Sequence, residues 1–161
     1  MPRRFLSTAA ALAAGSAMAL ASAGAASASA GAPAAAPATP CATSTVIAID
    51  SFAFSPTQVD PGQSSTANLV TTNCTASSQT TLQTWIGQYI SASGTGLPSG
   101  CPVIDPLARS VTYSPYQEVL TSTSYLVLSG CKANALKVTV RITGANGVLI
   151  NQGSATLLIK Q

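Results

Sequence analysis

The chain has 161 residues, with seven basic and four acidic side chains and no histidine. Charged residues make up 7% of it, against about 25% in ordinary domains, which excludes electrostatic steering and nucleic-acid binding as its means of recognition. The absent imidazole removes the commonest general base and metal ligand, so no cofactor and no metal are expected.

Residues 1–30 read as a secretory signal peptide. Arg3 and Arg4 form its charged start, Phe5 to Leu20 its apolar middle, and Ala26-Ser27-Ala28 and Ala28-Ser29-Ala30 its small-residue cleavage sites. Phe5 follows the arginine pair directly, without the spacer of a twin-arginine signal, so general secretion is expected. Residues 31–40 are an Ala/Pro-rich linker that cannot build a core and favours extended conformations. One domain then spans 41–161. Losing Arg3 and Arg4 with the leader leaves five basic residues against four acids, a mature charge of +1. No second long apolar stretch follows, so no membrane span is expected after cleavage. The four cysteines Cys41, Cys74, Cys101 and Cys131 all lie in the exported part, where an oxidising compartment makes them disulfides.

Strand patterns occupy most of the domain. Val46 to Phe54 alternates loosely, Ser55-Pro56 and Asp60-Pro61-Gly62 punctuate it, and Ser64 to Thr72 forms a Thr/Val-rich run. Asn73-Cys74-Thr75 matches a glycosylation sequon, of minor weight behind a bacterial-type leader. Leu82, Trp85, Ile86, Tyr89 and Ile90 fit a helical stripe, but Gly87 and the flanking threonines weaken a helix, and residues 81–90 are read as a central strand with Trp85 in the core. Further strands are expected at Leu107 to Tyr113 and Ser124 to Leu128. The aromatic pair Tyr113 and Tyr116, flanking Ser114-Pro115, is expected on the surface as a candidate ligand-stacking platform.

Leu136, Val138, Val140 and Ile142 alternate strictly with Lys137, Thr139, Arg141 and Thr143, the signature of a strand with one dry and one wet face. Asn146-Gly147 supplies hairpin-turn chemistry, and Val148 to Ile159 returns as the partner, with a bulge expected at Gly153. About seven short strands without βαβ alternation predict an all-β, antiparallel sandwich.

The stretch Phe54-Ser55-Pro56-Thr57-Gln58-Val59-Asp60-Pro61-Gly62-Gln63-Ser64-Ser65-Thr66 resembles the opening of bacterial Ig-like, cell-adhesion-related modules, and the closing hairpin is similar to their last two strands. The resemblance implies an Ig-like sandwich without naming a ligand. A cupredoxin opening looks alike, but its copper site needs histidines that this chain lacks.

In such a sandwich Cys41 and Cys74 fall at one pole, and Cys101 and Cys131 at the other. Strand direction therefore selects the pairs Cys41 with Cys74 and Cys101 with Cys131. The acids Asp50, Asp60, Asp105 and Glu118 share no spacing suited to acid–base work, and no serine is singled out as a nucleophile. Catalysis is not expected.

Gly100-Cys101-Pro102-Val103-Ile104-Asp105-Pro106 resembles the reactive loop of the secreted bacterial subtilisin-inhibitor family. By that resemblance Val103 would enter a protease's primary pocket, Ile104 would follow, and Cys131 would tie the loop down. Disulfide and proline remove ordering entropy that a flexible substrate loses on binding. The expectation from sequence is a secreted, monomeric, non-catalytic module binding an extracellular protein or a cell-wall glycan, with protease inhibition through Val103 and Ile104 as the alternative.

Overall fold

The strict alternation over residues 136–143 does place one face in the core. Leu136, Val138, Val140 and Ile142 are fully buried, while Lys137 and Arg141 face solvent. The structure, a computed structural model, describes Cys41 and residues 45–92 and 96–161. The leader expected over 1–30 and the linker over 31–40 lie outside the described residues.

The described residues contain no helix and form eight strands. These are β1 (Ile47–Ser55), β2 (Gln58–Val59), β3 (Ser64–Asn73), β4 (Gln79–Ile90), β5 (Leu107–Tyr113), β6 (Glu118–Leu126), β7 (Ala135–Gly144) and β8 (Leu149–Ile159). One sheet has the order β1-β3-β6, the other β2-β8-β7-β4-β5. Every pairing is antiparallel except the two-residue parallel ladder of β2 on β8. The inner faces of both sheets share one core, in which Phe52 of β1 meets Trp85 of β4 edge to face at 5.5 Å. At roughly 3.3 Å per residue, the ten-residue β3 separates the two ends of the molecule by about 30 Å.

Four expectations need correction. The strand placed at Ser124 to Leu128 begins six residues earlier, at Glu118. Its inward positions include Thr121 and Thr123, which are held by hydrogen bonds to Gln83 and Arg109, so polar residues point in and the alternation is masked. The short β2 was not foreseen, because a two-residue ladder next to Pro56 has too little sequence to carry a period. Gly153 pairs regularly with Val140, and the β7–β8 bulge falls instead at Ile150, between the pairs Ile142 with Asn151 and Thr143 with Leu149. Gly153 has a packing role, since a Cβ there would stand 3.1 Å from the Ile49 side chain. Tyr113, expected on the surface, is fully buried.

A buried polar cluster ties the sheets together. The Tyr113 and Thr71 hydroxyls lie 3.0 Å apart, Gln83 Nε2 donates to the Tyr113 oxygen at 3.1 Å, and Thr121 Oγ1 donates to Gln83 Oε1 at 3.0 Å. Satisfied buried polar groups of this kind avoid the desolvation penalty of lone ones and fix how the sheets register.

Candidate functional site

Two loop clusters, one at each end, carry the features that a framework alone does not require. At one end the Cys101–Cys131 disulfide, with Cα atoms 4.2 Å apart, joins the β4–β5 connection to the β6–β7 connection. Lys132 N donates to Ser99 O at 2.9 Å, and Gly100 packs so close to Gly130 that an added methyl would overlap the Gly130 carbonyl oxygen. Gly100 also has φ +72°, a conformation that side chains rarely adopt.

Beyond the disulfide the chain runs on to β5 without regular secondary structure. Val103 is 75% exposed, the most exposed large apolar side chain among the described residues. Its neighbour Ile104 turns the other way and packs on the core, against Gly87 of β4, where a Cβ would come within 2.9 Å of Ile104 Cδ1. The two residues expected to act side by side thus face opposite ways, Val103 into solvent and Ile104 onto the core. Among the described residues, the backbone groups of Val103, Ile104 and Asp105 make no hydrogen bond. A cleft of about 290 Å³, lined by Gln88, Tyr89, Ile90, Ser91, Gly96 and Leu97, adjoins the base of the same connection.

At the other end Cys41 pairs with Cys74, their Cα atoms 5.6 Å apart. Beside Cys74, the turn from Ser114 to Gln117 links β5 to β6. Asn73 N donates to Gln117 O (2.9 Å), Asn73 Nδ2 to Ser114 O (2.9 Å) and Tyr116 N to Thr75 O (3.2 Å). Asn73 is wholly buried by these bonds, which closes its sequon to modification.

The expected aromatic pair does not exist as a surface. Tyr113 is fully buried, because Val111 and Tyr113 share the inward parity of β5 and the phenol is consumed by Thr71 and Gln83. Tyr116 alone is exposed, at 67%, and it has φ +56°.

Sequence reading also missed Arg109. From β5 it reaches across the gap between the sheets, donating to Ser122 O at 3.0 Å and Thr123 Oγ1 at 2.7 Å, with its guanidinium 5.1 Å from the Trp85 ring centroid. No sequence signal marks it, since its hydrogen-bond partners lie on another sheet and Trp85 on a neighbouring strand distant in sequence. Burial pushes the phenol of Tyr125 up to about 12, with the Arg109 charge pulling the other way, and burial raises Tyr89 as well. Both phenols stay neutral in the fold after they would ionise in the unfolded chain, whose tyrosines titrate near pH 10. The contribution of Tyr125 is therefore complete below about pH 10 and lost as pH climbs toward 12, and that of Tyr89 is lost in the same direction. Denaturant titrations across that window should show declining stability, and Tyr125→Phe should flatten the decline.

The acids remain apart in role. Asp50 sits in a β1 bulge and accepts from Thr72 at 2.6 Å, and Glu118 opens β6. Among the described residues no group of three metal-ligating side chains occurs, and no helix is long and apolar enough to cross a membrane. Two bonded cysteine pairs, with no free cysteine among the described residues, fit an oxidising environment.

No protein-family model matches this chain, and no curated protein matches it. Among solved structures it is similar to Pseudomonas fluorescens alkylpurine DNA glycosylase AlkC bound to DNA containing an abasic site analog, with TM-score 0.53 and 12% identity over 73% of this chain. The matched part spans 31% of that chain's length, and a likeness at this identity concerns the fold alone.

Proposed function

We propose that the chain is a secreted, non-catalytic binding module built as an Ig-like sandwich, which docks a protein partner through the segment Pro102 to Asp105. The facing orders β1-β3-β6 and β2-β8-β7-β4-β5 support the Ig-like reading. The observation that carries the docking reading is Val103: a large apolar side chain held out in solvent on a segment pinned by a disulfide before it and by a core residue after it. Holding the exposed side chain in place before contact lowers the entropy lost on binding.

A second reading is favoured by the unpaired backbone of 103–105. Such a segment can add to a partner's strand, as a substrate does to a protease. With Ile104 anchored and Cys101 crosslinked, both sides of the Val103–Ile104 bond would stay in place, which is the condition for inhibition rather than turnover.

A photo-crosslinking residue at position 103 of the secreted protein, with position 120 as the control, tests the first reading. A discrete extracellular adduct at 103 alone supports it; equal labelling at both positions refutes it. Titration against subtilisin-, elastase- and trypsin-like proteases tests the second. Stoichiometric inhibition, weakened at least about thirtyfold by Val103→Asp, roughly 2 kcal/mol, is the expected signature of a central contact residue.

A further inference from the structure

Seven aromatic side chains lie among the described residues: Phe52, Phe54, Trp85, Tyr89, Tyr113, Tyr116 and Tyr125. Six of them are buried or half-buried; Tyr116 is not. It also has the only positive φ found on a non-glycine residue among the described residues. Left-handed backbone is disfavoured for bulky side chains, and turn positions of this kind ordinarily take Gly or Asn.

Nothing in the fold calls for tyrosine there. The turn is held entirely by other groups: Gln117 N donates to Ser114 O at 3.2 Å, Gln117 Oε1 accepts from Ser114 N at 2.7 Å, and the bonds from Asn73 and to Thr75 fasten it to the Cys74 loop. The Tyr116 ring and hydroxyl make no ring contact or hydrogen bond among the described residues. Two unfavourable features, strain and an exposed ring, thus coincide on one residue of a rigid turn.

The surroundings define what such a ring meets. The adjoining loop presents hydroxyls and amides already ordered by one another: Gln79 Nε2 donates to Thr75 Oγ1 at 3.1 Å and to Ser77 Oγ at 3.0 Å. Across residues 73–79 and 113–118, Glu118 is the only charged side chain. A flat aromatic face among fixed neutral hydrogen-bonding groups suits the apolar face and hydroxyl rim of a pyranose ring. A lone carboxylate disfavours an anionic polymer.

We infer that Tyr116 is the stacking platform of a binding site for neutral polysaccharide, at the end of the molecule opposite Val103. This site is separate from the protein-docking segment and stands or falls without it. The backbone strain is the means by which the ring is held clear of the surface.

The test pairs binding with stability. The mature protein is run through affinity gels containing soluble xylan or β-1,3-glucan and is incubated with insoluble cellulose and chitin, beside Tyr116→Gly, Tyr116→Phe and Val103→Asp. Retention by at least one polymer is expected, weakened about tenfold or more in Tyr116→Gly and preserved in Tyr116→Phe and Val103→Asp. Relief of the left-handed strain should leave the Tm of Tyr116→Gly unchanged or raise it by about 2–5 °C. Loss of binding in a variant at least as stable as the parent marks a contact role that misfolding cannot imitate. No retention on any of the four polymers, or undiminished retention by Tyr116→Gly, overturns the inference.

Discussion

Replacing Cys101 and Cys131 together by serine is expected to lower the stability of the domain by about 3–4 kcal/mol, since the bond closes a loop of 30 residues. For a domain of this size that is a fall in Tm of about 10–20 °C. The effect on the loop should be larger than the effect on the fold. The β4–β5 connection is held by the disulfide, by Lys132 N to Ser99 O, by the Gly100–Gly130 approach and by Ile104 on Gly87. Without the covalent tie, the backbone from Cys101 to Asp105, which has few hydrogen bonds of its own, should become a site of proteolytic nicking. Thermal melts and limited proteolysis of the serine pair check both parts. A melt shift under about 3 °C with an intact loop would show that noncovalent contacts suffice there.

Trp85→Ala should cost a similar amount, about 3–5 kcal/mol. The indole fills the centre of the shared core, with Phe52 against its edge and the Arg109 guanidinium over its face. Truncation removes both contacts and leaves a cavity beneath a half-buried cation. Trp85→Phe should cost roughly half as much, because Arg109 keeps an aromatic face and the buried indole N–H has no hydrogen-bond partner to lose. Chemical denaturation of both variants measures the difference. Equal losses would mean that a phenyl ring at this position restores neither the contact with Arg109 nor the packing of the core.

The parts of the fold legible in sequence were those where one face is wholly apolar. In β7, Leu136, Val138, Val140 and Ile142 repeat at the period of a strand, and no neighbour changes their direction. The cysteine pairs could be deduced because the ends of antiparallel strands alternate between two poles, whatever the detail of packing. What escaped depended on partners distant in sequence. β6 hides its strand character because Thr121 and Thr123 face inward toward Gln83 and Arg109.

Candidate residues divided on the same ground. Val103 and Ile104 are adjacent in sequence, and an extended backbone sends adjacent side chains to opposite sides. Which one turns in is decided by Gly87, far away on β4. Tyr113 shares its parity with the buried Val111, a signal masked in sequence by the Ser-Pro turn that follows it. The conformation of Tyr116 left no trace at all, because tyrosine is the wrong residue type for it by local preference.

The placement of the crosslinks has a mechanical consequence. Under tension applied between residues 41 and 161, the two bonds carry the load past segments whose ends are 33 and 30 positions apart in sequence. About half of the contour length of a fully stretched chain, at roughly 3.5 Å per residue, therefore stays out of reach even after every strand has peeled apart. A domain wired in this way extends about half as far when pulled as the same chain without crosslinks.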